Sequence, residues 1–294
     1  MISIGTIIDN RYKITSFISE GGMSLVYEAK DLENKKVVVI KILREELLKD
    51  HLNVVRFNFE ADVQARLDHP NIVRVYAKGT YEDKPYIVSE YIVGHTLNDN
   101  LRLYGKYSVK EGTKIMLTLT KAVQYLHEKG IIHRDIKSQN VFYLQRKILK
   151  LTDFGIAITK DMVKNISKDN AVVGSPHYLA PEVISDGIIS ELSDIYALGV
   201  TYFELLTNQY PFVGEDAIEV ALSHVNNKPP LPSSINENIP EEIENIMLKA
   251  IAKDPKDRYQ SAKELALDLE KALNNEENFV KEKKGLFSRI FGLK

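Results

Sequence analysis

Two short motifs near the middle of the chain carry its most reactive combination of groups. Residues 133–140 read H-R-D-I-K-S-Q-N, and a D-F-G triplet begins at Asp153, eighteen residues after Asp135. Together they supply two carboxylates, a carboxamide and an ammonium group. Phosphoryl transfer uses such a set, in which one acid orients the attacking hydroxyl, an acid and an amide oxygen hold Mg²⁺, and a lysine neutralises the transferred group. The spacing therefore predicts a phosphoryl-transfer site.

The eight-residue pattern followed by D-F-G resembles the eukaryotic-like (Hanks-type) protein serine/threonine kinases, most closely their bacterial receptor-kinase branch. By that resemblance Asp135 is the catalytic base, Lys137 is the phosphate-neutralising lysine, and Asn140 and Asp153 are the metal ligands. Lys137, two residues after Asp135, is the serine/threonine form of the motif. The resemblance implies transfer of the γ-phosphate of ATP to serine and threonine hydroxyls of protein substrates, with Mg²⁺ or alternatively Mn²⁺. Ser138 stands where the family more often has proline, a difference expected to have no chemical cost.

The same resemblance implies the fold. We expect an α+β, two-lobe protein-kinase fold over residues 1–273, with ATP and its metal between the lobes. The N-lobe, about 9–91, would be a small antiparallel sheet with one helix. The C-lobe, about 94–273, would be larger and mainly helical.

A strand is predicted over 12–18, because β-branched and aromatic residues dominate there, and a second over 27–30. The segment between them resembles the glycine-rich loop whose backbone lies over nucleotide phosphates. Ser19 and Ser24 occupy positions where the family usually has glycine, and the segment alone is more typical of a plain β-hairpin. The nucleotide-binding residues implied here are Ile18, Ser19, Glu20, Gly21, Gly22, Met23, Ser24, Leu25 and Val26.

An apolar run over 37–41 predicts a buried strand that ends in Lys41. The family lysine at this position contacts the α- and β-phosphates, and a helical glutamate pairs with it. The matching glutamate is Glu60, nineteen residues after Lys41, although an isolated helical glutamate is ordinarily a solvated residue. We expect Glu60 to lie beside the apolar stripe of its helix, formed by Val55, Phe59, Val63 and Leu67.

Three further positions complete the expected nucleotide site. Residues 90–94 resemble the hinge between lobes, so the backbone of Glu90 and of Ile92 would meet the adenine edge. Phe142, in the strand after the H-R-D motif, would pack under the adenine. We assign His133 a structural role rather than that of a base.

Residues 153–182 resemble the activation segment, which closes with A-P-E. Ser167 is the expected autophosphorylation site and Asp169 a permanent charge beside it, although both are equally readable as solvated loop residues. Ser175 matches the family hydroxyl that bonds the catalytic aspartate and lysine. Autophosphorylation between two copies would require self-association, for which the sequence shows no specific signal.

Two acids outside these motifs are predicted to be structural. Glu182 should pair with Arg258, which lies in a segment that resembles the family motif containing its partner arginine. Asp194 should cap the apolar helix over 193–206 and anchor the backbone of the 133–140 loop. Other helices are predicted over 111–129, 217–226, 241–253 and 261–273.

The composition of the chain excludes several classes of partner, chemistry and location. The chain has 294 residues and a formal charge of −2, so no nucleic-acid partner is expected. The absence of cysteine excludes disulfides and thiolate chemistry, and no signal peptide or membrane span is predicted. These features favour a cytoplasmic location. Residues 274–294 form a basic amphipathic or disordered tail, and 281–294 could contact an anionic membrane peripherally, which is the less favoured interpretation. We expect the chain to lack the external domains of the receptor branch.

Two other functions are compatible with the same fold. A catalytically silent scaffold could keep the fold without the reaction, and a small-molecule kinase could share it. Residues 174–178 and 180–182, together with Arg258, disfavour the second alternative because they resemble the elements that shape a peptide-binding surface. The scaffold is disfavoured because the full set of reactive positions is present: Lys41, Glu60, Asp135, Lys137, Asn140 and Asp153.

Overall fold

The computed structural model describes residues 1–144, 148–153, 158–159 and 175–279. The chain divides into two units, the first spanning Met1–Gly94 and the second beginning at His95. The first unit is built on a β-sheet, and the second is mainly helical. The proposed activation-segment residues Ser167 and Asp169, and residues 280–294 of the tail, lie outside the described residues.

The first unit has a six-stranded antiparallel sheet with the spatial order β1-β2-β3-β4-β6-β5. Side chains on one face form its core, including Ile14, Tyr27, Ile40 and Val88. Buried and exposed residues alternate over the first part of β2, where Tyr12 and Ile14 are buried and Lys13 and Thr15 are exposed. The strands are β1 (Ile7–Ile8), β2 (Tyr12–Glu20), β3 (Ser24–Asp31), β4 (Val37–Leu43), β5 (Val75–Tyr81) and β6 (Lys84–Glu90).

One α-helix, α1 (His51–Ala65), packs on this sheet. It begins after Asp50, whose side chain accepts a hydrogen bond of 3.0 Å from the Leu52 N–H. The predicted apolar stripe was wrong in part, since Val55 is 43% exposed. The buried residues of α1 include Phe57, Glu60, Ala61 and Gln64, and their spacing of three to four residues places them on one face of the helix.

The second unit contains eight α-helices among the described residues, with short strands between them. A three-stranded sheet has the order β10-β9-β7, and β8 pairs with β11. The strands are β7 (His95–Thr96), β8 (Ile131–Ile132), β9 (Val141–Tyr143), β10 (Leu149–Leu151) and β11 (Ile158–Thr159). The helices are α2 (Leu97–Tyr104), α3 (Val109–Glu128), α4 (Pro181–Asp186), α5 (Glu191–Thr207), α6 (Ala217–Asn226), α7 (Pro232–Ile235), α8 (Glu241–Ala250) and α9 (Ala262–Asn274).

Helix α5 forms the centre of the second unit, and nearly all its side chains are buried. Gly199 allows close packing against α8, because a Cβ added there would lie 2.6 Å from the Ile251 side chain. The helix is capped by Ser190, whose side chain accepts from the Leu192 N–H. The prediction that Asp194 caps this helix was therefore wrong. Asp194 lies one turn inside it, where its carboxylate can reach another segment.

Candidate functional site

Asp194 fixes the beginning of the 133–140 loop. Its Oδ2 accepts from the His133 N–H at 2.8 Å, and its Oδ1 accepts from the Arg134 N–H at 2.9 Å. His127 Nε2 lies 2.9 Å from the same carboxylate. Arg134 has φ of 71°, a strained conformation for a non-glycine residue that the Asp194 contact helps to hold. The predicted anchoring of this loop by Asp194 is confirmed.

The charge of Asp194 depends on these bonds. Burial acts to raise the pKa of this carboxyl, but the hydrogen bonds and nearby imidazoles outweigh it and hold the pKa below its usual value. His133 is fully buried, and burial lowers the pKa of its imidazole. A buried ring of this kind suits the structural role assigned to His133. The predicted packing of His133 against Phe154 involves a residue outside the described part of the chain.

Asp135, Lys137 and Asn140 form one contiguous cluster. Lys137 Nζ lies 2.9 Å from Asp135 Oδ1 and 2.7 Å from Oδ2. The Asn140 amide nitrogen donates to Asp135 Oδ2 at 2.8 Å and to the Asp135 carbonyl at 2.9 Å. The Asp135 and Lys137 side chains remain 18% and 17% exposed, so both are reachable from solvent. This arrangement fixes an acid and a cation side by side within reach of a ligand.

Ser175 extends the cluster towards the segment that precedes α4. Lys137 Nζ donates to its Oγ at 3.0 Å, which confirms the predicted contact between this hydroxyl and the lysine. The next residues form a short 3₁₀ helix, Pro176–Tyr178. Lys137 therefore links the 133–140 loop to a second segment of the same unit.

The β9–β10 hairpin brings Asn140 and Asp153 to the same end. Leu151 lies opposite Val141, and the Thr152 N–H donates to the Asn140 carbonyl at 2.9 Å. Asp153 follows directly and turns the chain with a φ of 59°.

The donor set at this end of the hairpin suits a hard cation. The bonds of the Asn140 amide to Asp135 use its nitrogen, so they do not engage its oxygen. One carboxylate and one amide oxygen are hard donors of the kind that hold Mg²⁺ with phosphates and water. The described residues hold no cluster of three or more acidic, histidine or cysteine side chains that could form a cage for a metal. This donor set fits a metal that shares its coordination with a phosphate ligand.

Lys41 and Glu60 meet in the first unit. Lys41 Nζ lies 3.6 Å from Glu60 Oε1, which confirms the predicted pair, and the Gln64 amide donates to the same oxygen at 3.0 Å. Glu60 is 7% exposed and faces the sheet rather than lying beside the buried face. The strand does not end at Lys41 as predicted, since β4 continues through Ile42 and Leu43. Lys41 therefore lies within a continuous strand rather than at its end.

The predicted phosphate loop is the turn between β2 and β3. The Gly21 N–H donates to the Ser24 carbonyl at 2.8 Å, and residues 18–22 are exposed while Ser24 is buried. Register irregularities in β2 on the approach to this turn twist the hairpin. Val26, at the end of the segment, lies opposite Lys41 in the sheet. The loop and the lysine are therefore neighbours in the first unit.

Arg44 is a contact of this loop that the sequence did not reveal. Its guanidinium lies 2.9 Å from Glu20 and donates to the Gly21 carbonyl at 3.3 Å. Its backbone N–H donates to the Met23 carbonyl at 3.0 Å. Arg44 follows β4 directly, so it ties the turn to the strand that carries Lys41.

The expected adenine contacts lie in different units. The Glu90 N–H already donates to the Arg74 carbonyl at 2.8 Å, so a nucleotide contact at Glu90 would use its carbonyl oxygen. Ile92 follows the end of β6 and is half-buried. Phe142 lies in β9 of the second unit and is also half-buried.

Glu182 and Arg258 form a buried bidentate pair, as predicted. The two guanidinium nitrogens lie 2.9 and 2.7 Å from the two carboxylate oxygens, and Arg258 is 2% exposed. Arg258 also donates to the carbonyls of Ala252, Leu192 and Lys253. The pair ties the start of α4 to the segment before α9, and it stabilises the second unit rather than facing a ligand.

Glu204, a buried acid that contacts residues of the site, was not predicted from the sequence. Glu204 accepts from the Ser138 hydroxyl at 2.9 Å and from the Tyr178 hydroxyl at 2.6 Å. The serine at position 138, for which no chemical cost was expected, donates its hydroxyl to Glu204. The sequence does contain a signal for it, namely an acidic residue in a helix that is otherwise apolar all round. Such a residue is buried with the helix, and a buried carboxyl group needs hydrogen-bond partners.

Comparisons with known proteins identify the family. Residues 12–268 match the family described as "Protein kinase domain". The chain is 41% identical to serine/threonine-protein kinase PrkC of Bacillus subtilis, over 94% of this chain and 43% of the relative. It is 38% identical to probable serine/threonine-protein kinase PknB of Lactococcus lactis, over 92% and 43%, respectively. It is 36% identical to serine/threonine-protein kinase PknB of Mycobacterium tuberculosis, over 92% and 44%.

The chain spans less than half the length of these relatives. Within its described residues, each helix is too short or too polar to cross a bilayer. The expected α+β, two-lobe kinase fold agrees with the family match and with the sheet and helices described above. On these grounds the chain belongs to the protein kinase family, in its bacterial Hanks-type serine/threonine branch.

Proposed function

We propose that this chain transfers the γ-phosphate of ATP to serine or threonine hydroxyls of proteins. The observation that carries the proposal is the Asp135 carboxylate held between Lys137 and Asn140, with Ser175 on the same lysine. Phosphoryl transfer depends on positioning and charge neutralisation, and this cluster provides both. The relatives named above carry the description of serine/threonine protein kinase, which favours the same reaction here.

The residues of the cluster, and the charged residues predicted to act with them, have distinct parts in the proposed reaction. Asp135 orients the acceptor hydroxyl and takes up its proton, and Lys137 offsets the negative charge of the transferred group. Asn140 and Asp153 would hold the metal, Mg²⁺ or alternatively Mn²⁺, which when bound neutralises phosphate oxygens. Lys41, oriented by Glu60, binds the α- and β-phosphates.

Binding of ATP would use the remaining predicted residues. Backbone groups of the β2–β3 turn, residues 18–26, would approach the phosphates, and Glu90, Ile92 and Phe142 would contact the adenine. Autophosphorylation at Ser167, with self-association of two copies, belongs to the same proposal. Contact of residues 281–294 with an anionic membrane remains the less favoured part of it, and no nucleic-acid partner is proposed.

Two rival functions are less well supported. A silent scaffold would need none of the contacts around Asp135, whereas the cluster is complete. A small-molecule kinase would not need the Ser175 contact or the Glu182–Arg258 pair that braces the adjoining α4. We therefore retain proteins as the acceptor class.

An acceptor panel tests the proposal. The full chain is incubated with labelled ATP and Mg²⁺, in parallel with an Asp135→Asn variant, and offered either proteins or small alcohols such as amino sugars and choline. We expect label on serine and threonine of the proteins with the wild-type chain and none with the variant. Label on small alcohols alone would establish the small-molecule kinase, and binding of ATP without transfer would establish the scaffold.

A further inference from the structure

A buried carboxyl group in α5 is bonded to both segments of the proposed site. Glu204 is 4% exposed, and its Oε1 accepts from the Ser138 hydroxyl at 2.9 Å. Its Oε2 accepts from the Tyr178 hydroxyl at 2.6 Å. Ser138 follows Lys137 directly, and Tyr178 lies three residues after Ser175. One side chain therefore connects the two segments that Lys137 also bridges.

The partners of Glu204 are neutral. Its two bonded groups are the hydroxyls of Ser138 and Tyr178, which carry no charge. Burial raises the pKa of this carboxyl above its ordinary value, and these hydrogen bonds oppose that rise. A buried acid is unfavourable unless its hydrogen bonds are made, and here both oxygens are engaged.

Helix α5 holds the 133–140 loop at two points. Asp194 binds the N–H groups of His133 and Arg134, and Glu204 binds Ser138. The two acids are ten residues apart, about 15 Å along a helix. Because α5 is buried along nearly its whole length, it offers a rigid support for both ends of the loop.

We propose that Glu204 and Ser138 act as a positioning pair for phosphoryl transfer, an inference that rests on the proposed function. Ser138 begins the one-turn 3₁₀ helix that ends at Asn140. Fixing its hydroxyl on α5 therefore sets the position of Lys137 on one side and of Asn140 on the other. Through Tyr178 the same carboxyl couples this position to the segment that carries Ser175. Neither Glu204 nor Ser138 touches the reacting atoms.

A different use of Glu204 is conceivable from its charge alone, namely binding a basic side chain of a protein substrate. The geometry disfavours it, because both carboxylate oxygens already accept hydrogen bonds and little of the residue is exposed. If Glu204 bound a basic side chain of the substrate, its replacement would change the KM for basic acceptors. If Glu204 positions the 133–140 loop, its replacement changes kcat.

The test compares Ser138→Ala, Glu204→Met and the double variant in the full chain. Methionine has a similar length, cannot accept these hydrogen bonds and is tolerated in cores. Ser223→Ala is the matched control, because Ser223 is a buried serine whose hydroxyl donates to the Val220 carbonyl of its own helix. Steady-state kinetics with a protein acceptor is combined with hydrogen exchange of the amides in 133–140.

We expect each single change to lower kcat about tenfold while the KM for ATP stays within about twofold. The double variant should also lose about tenfold rather than about a hundredfold, because both changes remove the same contact. Amides of the 133–140 loop should exchange faster in all three variants, and the Ser223→Ala control should match wild type in both measurements.

Unchanged kcat and unchanged exchange in Ser138→Ala would overturn the proposal while leaving the kinase activity intact. A raised KM confined to basic acceptors in Glu204→Met, with wild-type kcat, would assign the carboxyl to substrate binding instead. If the wild-type chain transferred no phosphate, the proposed function would fail, and the exchange measurement alone would still decide whether this pair holds the loop.

Discussion

Replacing Asp194 with asparagine removes one acceptor oxygen from the centre of the second unit and leaves the shape of the side chain intact. The carboxylate accepts from two backbone N–H groups and lies 2.9 Å from His127 Nε2. An asparagine can keep only one oxygen, so at least one buried N–H of His133 or Arg134 would face an NH₂ group. Hydrogen bonds to a charged group contribute about 1.5–3 kcal/mol, and we expect the free energy of unfolding to fall by about 2–4 kcal/mol.

The loss should depend on pH in a defined direction. The folded state holds the pKa of Asp194 below its ordinary value, so its contribution is fully present above the unfolded pKa, about 4. The difference between wild type and Asp194→Asn should therefore be constant from neutral pH down to about pH 4. It should narrow only as the pH falls further, through the pKa of the folded protein.

Urea unfolding followed by circular dichroism measures this effect, since the chain has no tryptophan to serve as a fluorescent probe. Asp268→Asn is the matched control, because Asp268 lies in α9, bonds to Lys271 and Tyr259, and has a side chain that is 35% exposed. Its effect should be much smaller. An Asp194→Asn loss no larger than that of the control would refute the anchoring argument, as would unchanged hydrogen exchange at the Arg134 amide.

Two further substitutions test the Lys41–Glu60 and Glu182–Arg258 contacts. Lys41→Met should lower the rate of phosphate transfer at least about a hundredfold without unfolding the first unit. The control variant Lys13→Met, on the exposed face of β2, should retain activity. Equal transfer rates for Lys41→Met and wild type would show that Lys41 is not needed. Glu182→Ala should lower the free energy of unfolding, measured in urea, by about 3–5 kcal/mol, because it leaves Arg258 buried without its carboxylate. The control variant Lys271→Met removes the exposed Lys271–Asp268 pair and should be about as stable as wild type. A Glu182→Ala variant as stable as that control would contradict the reading of this pair as structural.

The sequence predicted those parts of the molecule that depend on local signals. Helix α6 begins and ends where it was predicted, and Asp216 supplies the cap that starts it. The Lys41–Glu60 and Glu182–Arg258 pairs were also predictable, because the motif resemblance fixes both partners in advance. The positions around Asp135 followed from their spacing in one short loop.

Features that depend on packing between distant segments were missed. Helix α2 was overlooked although Thr96 and Asp99 form a capping box, because its eight residues give too short a pattern to stand out. The inward face of α1 was misassigned because Glu60 and Gln64 are polar yet buried against the sheet. The Ser138–Glu204 contact joins residues 66 positions apart, so no local pattern could reveal it.

The most direct test of the central claim compares wild type with Asp135→Asn for both nucleotide binding and phosphate transfer. Binding of ATP with Mg²⁺ is measured by calorimetry, and transfer by phosphoamino-acid analysis of a protein acceptor. We expect both proteins to bind the nucleotide and only wild type to produce phosphoserine or phosphothreonine, because Asp135 acts on the acceptor hydroxyl rather than on ATP. Transfer by Asp135→Asn at the wild-type rate would contradict this expectation.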